Sequence, residues 1–231
     1  MKFMLSKSME VCAFFDVDET IWNEKSVITF YQFYLDVTKG DKADFFWEQF
    51  NKNVKNTISA GISREELNAW FYLEHFSGVS VSHLREIAEQ WSIKKFNQPS
   101  FWQDKVIERI EYHKNKGHAI VLVSGSFREV LAPLAKRLGV TDILCSPLEE
   151  KDGCYTGNML GSPMIGYGKA NAVSDYLREH KIDPVHCYGY GDDTTDIPFI
   201  GTVGNSYIVI NNNHDELSVL AEIMGYQTLN V

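Results

Sequence analysis

The sequence predicts an α/β fold: a doubly wound parallel sheet covered by helices on both faces, with a helical segment inserted after the first strand. Two observations support this prediction. Short apolar runs rich in β-branched and aromatic residues alternate with amphipathic stretches, as in a parallel sheet buried between helices. Residues 22–102 interrupt this alternation and have a helical pattern throughout. With 231 residues, 44% of them apolar, the chain is long enough to bury a core.

The predicted strands mostly lack polar alternation, so we expect both faces of each strand to be buried. They are Val11–Phe15, His118–Val123, Asp142–Ser146, Val185–Tyr190 and Ser206–Ile210. Helices with an apolar stripe are predicted between and after them. These are Phe127–Leu138, Lys169–His180 and Leu217–Met224, the last opened by the Asn211–Asn213 run. In Lys151–Gly157, an Asp-Gly pair between residues of β character predicts a hairpin with a primed turn.

Residues 22–102 are predicted to form a separate helical subdomain, and residues 1–21 and 103–231 the α/β unit. The predicted helices of the insertion are Ser26–Thr38, Asp44–Ile58, Ser63–Ser77 and Val81–Gln90. Ser63 and Glu66 have the spacing of a capping box. The segment holds all five tryptophans and 17 of the 30 aromatic residues. Such density fits a small unit that makes its own core, or alternatively a hydrophobic substrate pocket or a partner surface.

Composition argues against several classes of protein. The net charge of −9 and the pI near 5.3 disfavour a general binder of nucleic acid or anionic membrane. No apolar run approaches the roughly 20 residues of a membrane helix. The opening MKFMLSKSMEV lacks the apolar stretch of a secretory signal, so a cytoplasmic location is expected. The four cysteines form no C-x-x-C pair and are expected to be buried, reduced thiols.

Acidic residues follow two of the predicted strands directly. Asp16 and Asp18 end the first, and Asp192, Asp193 and Asp196 come after another. Parallel sheets bind ligands at the carboxyl ends of their strands, so these acids are expected at one edge. Crowded carboxylates repel one another unless a cation lies between them or one of them is protonated. Oxygen ligands favour Mg²⁺, and a carboxylate there can act as nucleophile while its neighbour handles protons.

Two further sequence features at the same edge are suited to binding an anion. Ser124-Gly125-Ser126 lies between a strand and the start of a helix, where a hydroxyl and free backbone amides can hold a phosphate. Lys169 is predicted near a helix N-terminus, where the helix dipole disfavours a cation. This placement suggests that Lys169 holds a phosphate or pairs with the aspartates.

Together these motifs resemble a known family. Asp16-Val-Asp-Glu-Thr20, Ser124-Gly125, Lys169 and Gly191-Asp-Asp-Thr-Thr-Asp196 are similar to the four motifs of the haloacid dehalogenase-like (HAD) hydrolases, in the same order along the whole chain. The insertion after the first motif resembles the C1 cap of that family. Within it, the chain is similar to subfamily IB, which includes the phosphoserine phosphatases. The resemblance implies a Rossmann-like core with a helical cap.

The resemblance also implies roles in catalysis and metal binding. Asp16 would be the nucleophile that becomes an aspartyl phosphate. Asp18 would protonate the leaving oxygen and then activate water. Mg²⁺ would be held by Asp16, by Asp192 and by the backbone carbonyl of Asp18. Asp196 would hold it through water or orient Lys169. Asp193, where a Gly is more usual, is either an extra acid near the metal or a solvated turn residue.

The remaining implied roles concern the substrate. Thr20, Ser124, Gly125 and Lys169 would bind the substrate phosphate, with Thr20 also holding the loop. Arg128, one turn into its helix, is a candidate substrate contact, and Arg64 and Arg85 are further candidates. A phosphoserine enzyme would carry a cap Glu for the substrate amine. Glu24 lies close to that place, so phosphoserine is a candidate substrate, although not the favoured one.

The sequence therefore predicts a Mg²⁺-dependent phosphatase of a small phosphorylated metabolite. One alternative is a phosphotransferase that passes the phosphoryl group from Asp16 to an acceptor alcohol. Another is a non-catalytic binding protein that uses the aromatic cap as its surface; the retention of all four motifs argues against it. The sequence identifies no protein partner.

Overall fold

The computed structural model describes residues 11–211 and 215–231, and in this part of the chain a parallel sheet is flanked by helices. The strands are β1 (Cys12–Phe15), β2 (Ala119–Ser124), β3 (Asp142–Cys145), β4 (Leu148–Lys151), β5 (Cys154–Met159), β6 (Tyr188–Gly191), β7 (Asn205–Ile210) and β8 (Gln227–Asn230). The helices are α1 (Ser26–Lys39), α2 (Ala43–Ser59), α3 (Arg64–Phe76), α4 (Val81–Phe96), α5 (Asp104–Asn115), α6 (Arg128–Leu138), α7 (Tyr167–His180), α8 (Ile197–Ile200) and α9 (Asp215–Met224).

Six strands form the central sheet in the order β3-β2-β1-β6-β7-β8, and every neighbouring pair is parallel. The central strands β1 and β2 are buried on both faces. Phe15 and Leu122 belong to an apolar cluster on one face, and Phe14 and Val121 to a second cluster on the other. The predicted α/β class with a doubly wound parallel sheet is confirmed. None of the helices described in residues 11–211 and 215–231 has the length and apolarity needed to cross a bilayer.

Several predicted boundaries were wrong. The strand expected at Val185–Tyr190 begins at Tyr188, because Pro184–His186 form a short 3₁₀ turn capped by the Asp183 carboxylate. Helix α4 continues to Phe96, past the expected end at Gln90, and α5 and β8 were not predicted. Strand β8 is mostly exposed and polar, so it lacks the apolar signal of the buried strands. Residues 1–10 and 212–214, which include the N-terminal opening and most of the Asn run expected to begin α9, lie outside the described residues.

The inserted helices α1–α4 lie between β1 and β2 in the chain, and their aromatic core is continuous with that of the sheet. The Phe127 ring, directly before α6, lies 5.6 Å from Phe30, 5.7 Å from Tyr72 and 5.1 Å from Phe76. Most aromatic side chains of the inserted helices therefore pack in this core. A separate subdomain at residues 22–102 stays a prediction.

Local turn chemistry supports the inserted helices. In the predicted capping box, Ser63 Oγ accepts from the Glu66 amide and the Glu66 carboxylate accepts from the Ser63 amide. The predicted hairpin is β4–β5, and Asp152 and Gly153 at its turn both have positive φ, as a type I′ turn requires. The hairpin then packs on the insertion, because the Val81 amide donates to the Gly153 carbonyl.

Candidate active site

The acids of the first and last motifs meet at the carboxyl edge of the sheet. Strands β1 and β6 are neighbours, and the Asp16 amide donates to the Tyr190 carbonyl at 2.9 Å. Asp16 and Asp192 each follow the last residue of their strand. Carboxylate oxygens of Asp16, Asp192 and Asp196 lie within 4.8 Å of one another, and all three residues are buried. Parallel pairing therefore creates the acidic cluster that the sequence predicted.

Asp196 enters this cluster through a tight turn after β6. Its Oδ2 accepts from the amides of Asp192 and Asp193, both at 3.2 Å. The backbone of Gly191 approaches the Asp196 side chain so closely that a Cβ at residue 191 would lie 2.5 Å from the Asp196 Cβ. Only glycine fits there without displacing the carboxylate.

Lys169 neutralises part of the cluster. Its Nζ donates to Asp16 Oδ1 at 2.5 Å and to Asp196 Oδ1 at 2.7 Å. Burial alone would lower the pKa of Lys169, but attraction to the two carboxylates outweighs this effect and raises the pKa above its ordinary value. The ammonium therefore stays charged. The structure shows the contact of this lysine with the aspartates, and its contact with a phosphate stays a prediction.

The cluster still carries more negative than positive charge. Burial, followed by repulsion from Asp16 and Asp196, raises the pKa of Asp192 to about 9. Burial raises the pKa of Asp196 to about 6 and also raises that of Asp16. Thr20 Oγ1 donates to Asp192 Oδ1 at 2.5 Å. A buried, all-oxygen donor set with excess negative charge fits a hard divalent cation such as Mg²⁺.

Asp18 faces the same cavity but lies outside this carboxylate group. Its Oδ1 accepts from the Trp22 indole at 2.9 Å and from the Ser26 amide at 3.0 Å. Burial raises the pKa of Asp18, which favours its protonated form. The arrangement is suited to a group that holds and transfers a proton.

The phosphate-binding candidates lie at the same edge, with Ser124 as the last residue of β2 and Gly125 directly after it. Three side chains fix this loop by donating to the Gly125 carbonyl: Asn68 at 3.1 Å, Tyr72 at 2.9 Å and Ser146 at 2.8 Å. These three were missed from the sequence. Ser146 ends a predicted strand and so could have been placed at this edge, whereas Asn68 and Tyr72 lie on α3 with no local motif to mark them.

A cavity of about 570 Å³ lies between the edge of the sheet and helices α1–α3. It is lined by eight of the ten predicted site residues: Asp16, Asp18, Ser124, Gly125, Lys169, Asp192, Asp193 and Asp196. Thr20 contacts the site through Asp192. Arg128 is exposed and is not part of the cavity wall, so its contact with substrate stays a prediction.

The other candidate substrate contacts are engaged in ion pairs. Arg64 lines the cavity and donates to Asp193 at 2.8 Å. Burial alone would raise the pKa of Asp193. Hydrogen bonds from the Thr195 amide and from Arg64 outweigh burial and lower this pKa to about 2. Away from the cavity wall, Arg85 lies 3.6 Å from Glu129. Glu24, the residue considered for a substrate amine, pairs with Lys95 at 2.5 Å outside the cavity wall.

Comparison with known sequences agrees with this geometry. A family model described as haloacid dehalogenase-like hydrolase matches residues 13–200. Phosphoserine phosphatase SerB1 of Mycobacterium tuberculosis is 27% identical over 227 residues, covering 95% of this chain and 70% of the relative. A histidinol-phosphatase of Neisseria meningitidis is 25% identical over 243 residues, and the match covers 96% of this chain and 99% of the relative.

Solved structures show the same fold. A protein of unknown function from Bordetella pertussis superposes with a TM-score of 0.79 at 23% identity, covering 96% of this chain and 98% of that one. A phospho-aspartyl intermediate analogue of phosphoserine phosphatase superposes with a TM-score of 0.60 at 18% identity. The superposition covers 88% of this chain and 87% of that one.

Proposed function

The chain belongs to the haloacid dehalogenase-like hydrolases and is a phosphatase of that family, and we propose that it hydrolyses a small phosphomonoester through a phosphoaspartate at Asp16. The observation that carries the proposal is the buried contact of Lys169 with both Asp16 and Asp196, beside Asp192 and the Ser124–Gly125 loop. This arrangement supports the proposal because a nucleophile, a compensating cation and an anion site would then share one cavity.

In the first half-reaction, the Asp16 carboxylate attacks phosphorus. Lys169 holds Asp16 Oδ1, and the other carboxylate oxygen, Oδ2, would form the new bond. As the bond from phosphorus to the leaving oxygen breaks, Asp18 gives that oxygen a proton, so the alcohol departs neutral. Ser124 and the Gly125 amide hold the phosphoryl oxygens, and Lys169 offsets their charge.

In the second half-reaction, water attacks the phosphorus of the phosphoaspartate. Asp18 accepts a proton from this water, and the bond between phosphorus and Asp16 breaks to release inorganic phosphate. Asp18 is thereby returned to its protonated form and Asp16 to its carboxylate. Asp18 thus carries the proton in both steps, and the enzyme returns to its starting state.

Mg²⁺ is the proposed cofactor. Asp16, Asp192 and the Asp18 carbonyl would hold it, with Asp196 positioned to hold a water on it or to orient Lys169. When bound, the ion neutralises the carboxylates and the phosphoryl charge that would otherwise repel the nucleophile. Burial and repulsion from Asp16 and Asp196 raise the pKa of Asp192, and a cation bound among these carboxylates would relieve that repulsion.

Sequence relatives do not agree on a substrate. One is named a phosphoserine phosphatase and another a histidinol-phosphatase, so both support a small phosphomonoester without selecting an alcohol. A cytoplasmic location and the absence of nucleic-acid binding stay predictions from the sequence.

The test is phosphate release from a generic aryl phosphate with Mg²⁺, with EDTA, and in Asp16→Asn. We expect release only by the wild type with Mg²⁺. Equal release by the variant would refute the phosphoaspartate. Added acceptor alcohols distinguish hydrolysis from phosphotransfer, because a transferase would convert part of the product into a new phosphate ester.

A further inference from the structure

The cavity has two chemically different parts. Its floor holds the acids, Lys169 and the Ser124–Gly125 loop, and its opposite wall comes from the inserted helices. That wall is apolar, with side chains from α1, α2, α3 and the connection between α2 and α3. Its members include Ile28, Val54, Ile58, Ile62, Leu67 and Trp70. A phosphate bound on the floor would direct its alcohol toward this wall.

Two isoleucines on this wall are unusually exposed. Ile58 is 57% exposed and Ile62 41% exposed, although both line the cavity. Apolar side chains grouped around a cavity lose this contact with water when an apolar ligand binds. Their position therefore suits a ligand that extends from the floor to the rim.

The charged side chains between the floor and the apolar wall are already paired. Lys25 Nζ lies 2.5 Å from Glu19, and Arg64 lies 2.8 Å from Asp193. Both pairs belong to the cavity lining. An alcohol that carries an ammonium and a carboxylate would have to compete with these pairs for partners of opposite charge. An apolar alcohol leaves both pairs intact.

We propose that the alcohol part of the substrate is apolar, an alkyl or aryl group that packs against the wall formed by α1–α3. The proposal rests on the proposed function and names its substrate class. It excludes phosphorylated amino acids as preferred substrates. The volume of about 570 Å³ is within the range of small-ligand sites and has room for more than a phosphate.

The test compares unbranched alkyl phosphates from ethyl to octyl with phosphoserine, at equal Mg²⁺. These esters have primary alcohols of similar reactivity, so differences in kcat/KM report on binding of the alcohol. Burial of one methylene changes an equilibrium by about threefold to fourfold. We expect kcat/KM to rise by about this factor per carbon until the cavity is full, and phosphoserine to fall below butyl phosphate. A flat profile, or a preference for phosphoserine, would overturn the proposal.

A pair of variants assigns the effect to the wall. Ile58→Gln/Ile62→Gln is expected to flatten the chain-length profile, with a larger loss of kcat/KM for octyl phosphate than for ethyl phosphate. The matched control is Ile93→Gln on α4, since Ile93 is 66% exposed and lies outside the cavity lining. It is expected to keep the wild-type profile. An unchanged profile in the double variant would show that these side chains do not contact the alcohol.

A binding measurement separates this proposal from the proposed function. Unbranched alkyl phosphonates are not hydrolysed, and their dissociation constants can be measured by calorimetry on the wild type. A dissociation constant that falls with chain length supports the apolar wall even in a protein that releases no phosphate. Phosphate release with a flat binding series would leave the phosphatase intact and refute the apolar substrate class.

Discussion

Arg64 Nη1 lies 2.8 Å from Asp193 Oδ1 and joins the start of α3 to the loop after β6. The contact spans the cavity, because Arg64 belongs to the inserted helices and Asp193 follows Asp192 of the acidic cluster. Both side chains are partly exposed, so the pair is expected to contribute no more than about 1 kcal/mol to folding. Its larger effect should be on the position of α3 over the site.

A double-mutant cycle tests this link. Arg64→Gln and Asp193→Asn are each expected to raise KM, because either change releases α3 from the loop, while each lowers the free energy of unfolding by less than about 1 kcal/mol. The double variant should resemble the single variants, since the same contact is lost in all three. If the two effects on kcat/KM multiply, the residues act independently and the link has no functional role.

Mg²⁺ should stabilise the protein through the acidic cluster. A ligand at 100 times its dissociation constant adds about 2.7 kcal/mol, which corresponds to a rise in Tm of about 5–10 °C for a chain of this size. Asp192→Asn is expected to lose most of this shift. Asp152→Asn, in the hairpin turn between β4 and β5, is the matched control and should keep it. Equal shifts in all three proteins would place the cation elsewhere.

The sequence predicted those parts of the site that depend on local pattern. Asp16 directly follows β1 and Ser124 ends the neighbouring β2, and parallel pairing alone brings them to one edge. Contacts between distant segments had no such signal. Tyr72 and Gly125 are 53 residues apart, and Arg64 and Asp193 are 129 apart. Strand β8 was missed because an exposed edge strand does not need an apolar sequence, and its pairing with β7 forms only in the folded chain.

Gly191 is expected to be essential for the geometry of the site. A methyl group at this position would lie 2.5 Å from the Asp196 Cβ, so Gly191→Ala should displace the Asp196 carboxylate from Lys169. We expect a loss of kcat of at least tenfold and a lower Tm. Gly161→Ala is the matched control, because its nearest neighbour would be a Pro147 side-chain atom at an ordinary 3.6 Å. Phosphate release and thermal unfolding measure both effects, and normal activity in Gly191→Ala would contradict this account of the tight turn.

Two histidines should make the fold sensitive to acid. Burial lowers the pKa of His75 and of His113 to about 4, whereas a histidine in the unfolded chain titrates near 6.5. Between these values the unfolded chain binds more protons than the native protein. The stability that depends on the neutral rings is therefore complete above about pH 6.5 and is lost as the pH falls toward 4.

His75→Phe isolates one of these contributions. His75 Nδ1 is paired with the Tyr31 hydroxyl at 2.9 Å, so the variant loses a hydrogen bond and should be less stable than the wild type at pH 8. Because phenylalanine does not titrate, the difference should shrink as the pH falls, by up to about 1.4 kcal/mol per pH unit below 6.5. Urea unfolding at pH 8, 6 and 5 measures the difference directly. The other titrating groups are shared by both proteins and cancel, so a difference that stays constant with pH would show that His75 is not held neutral by burial.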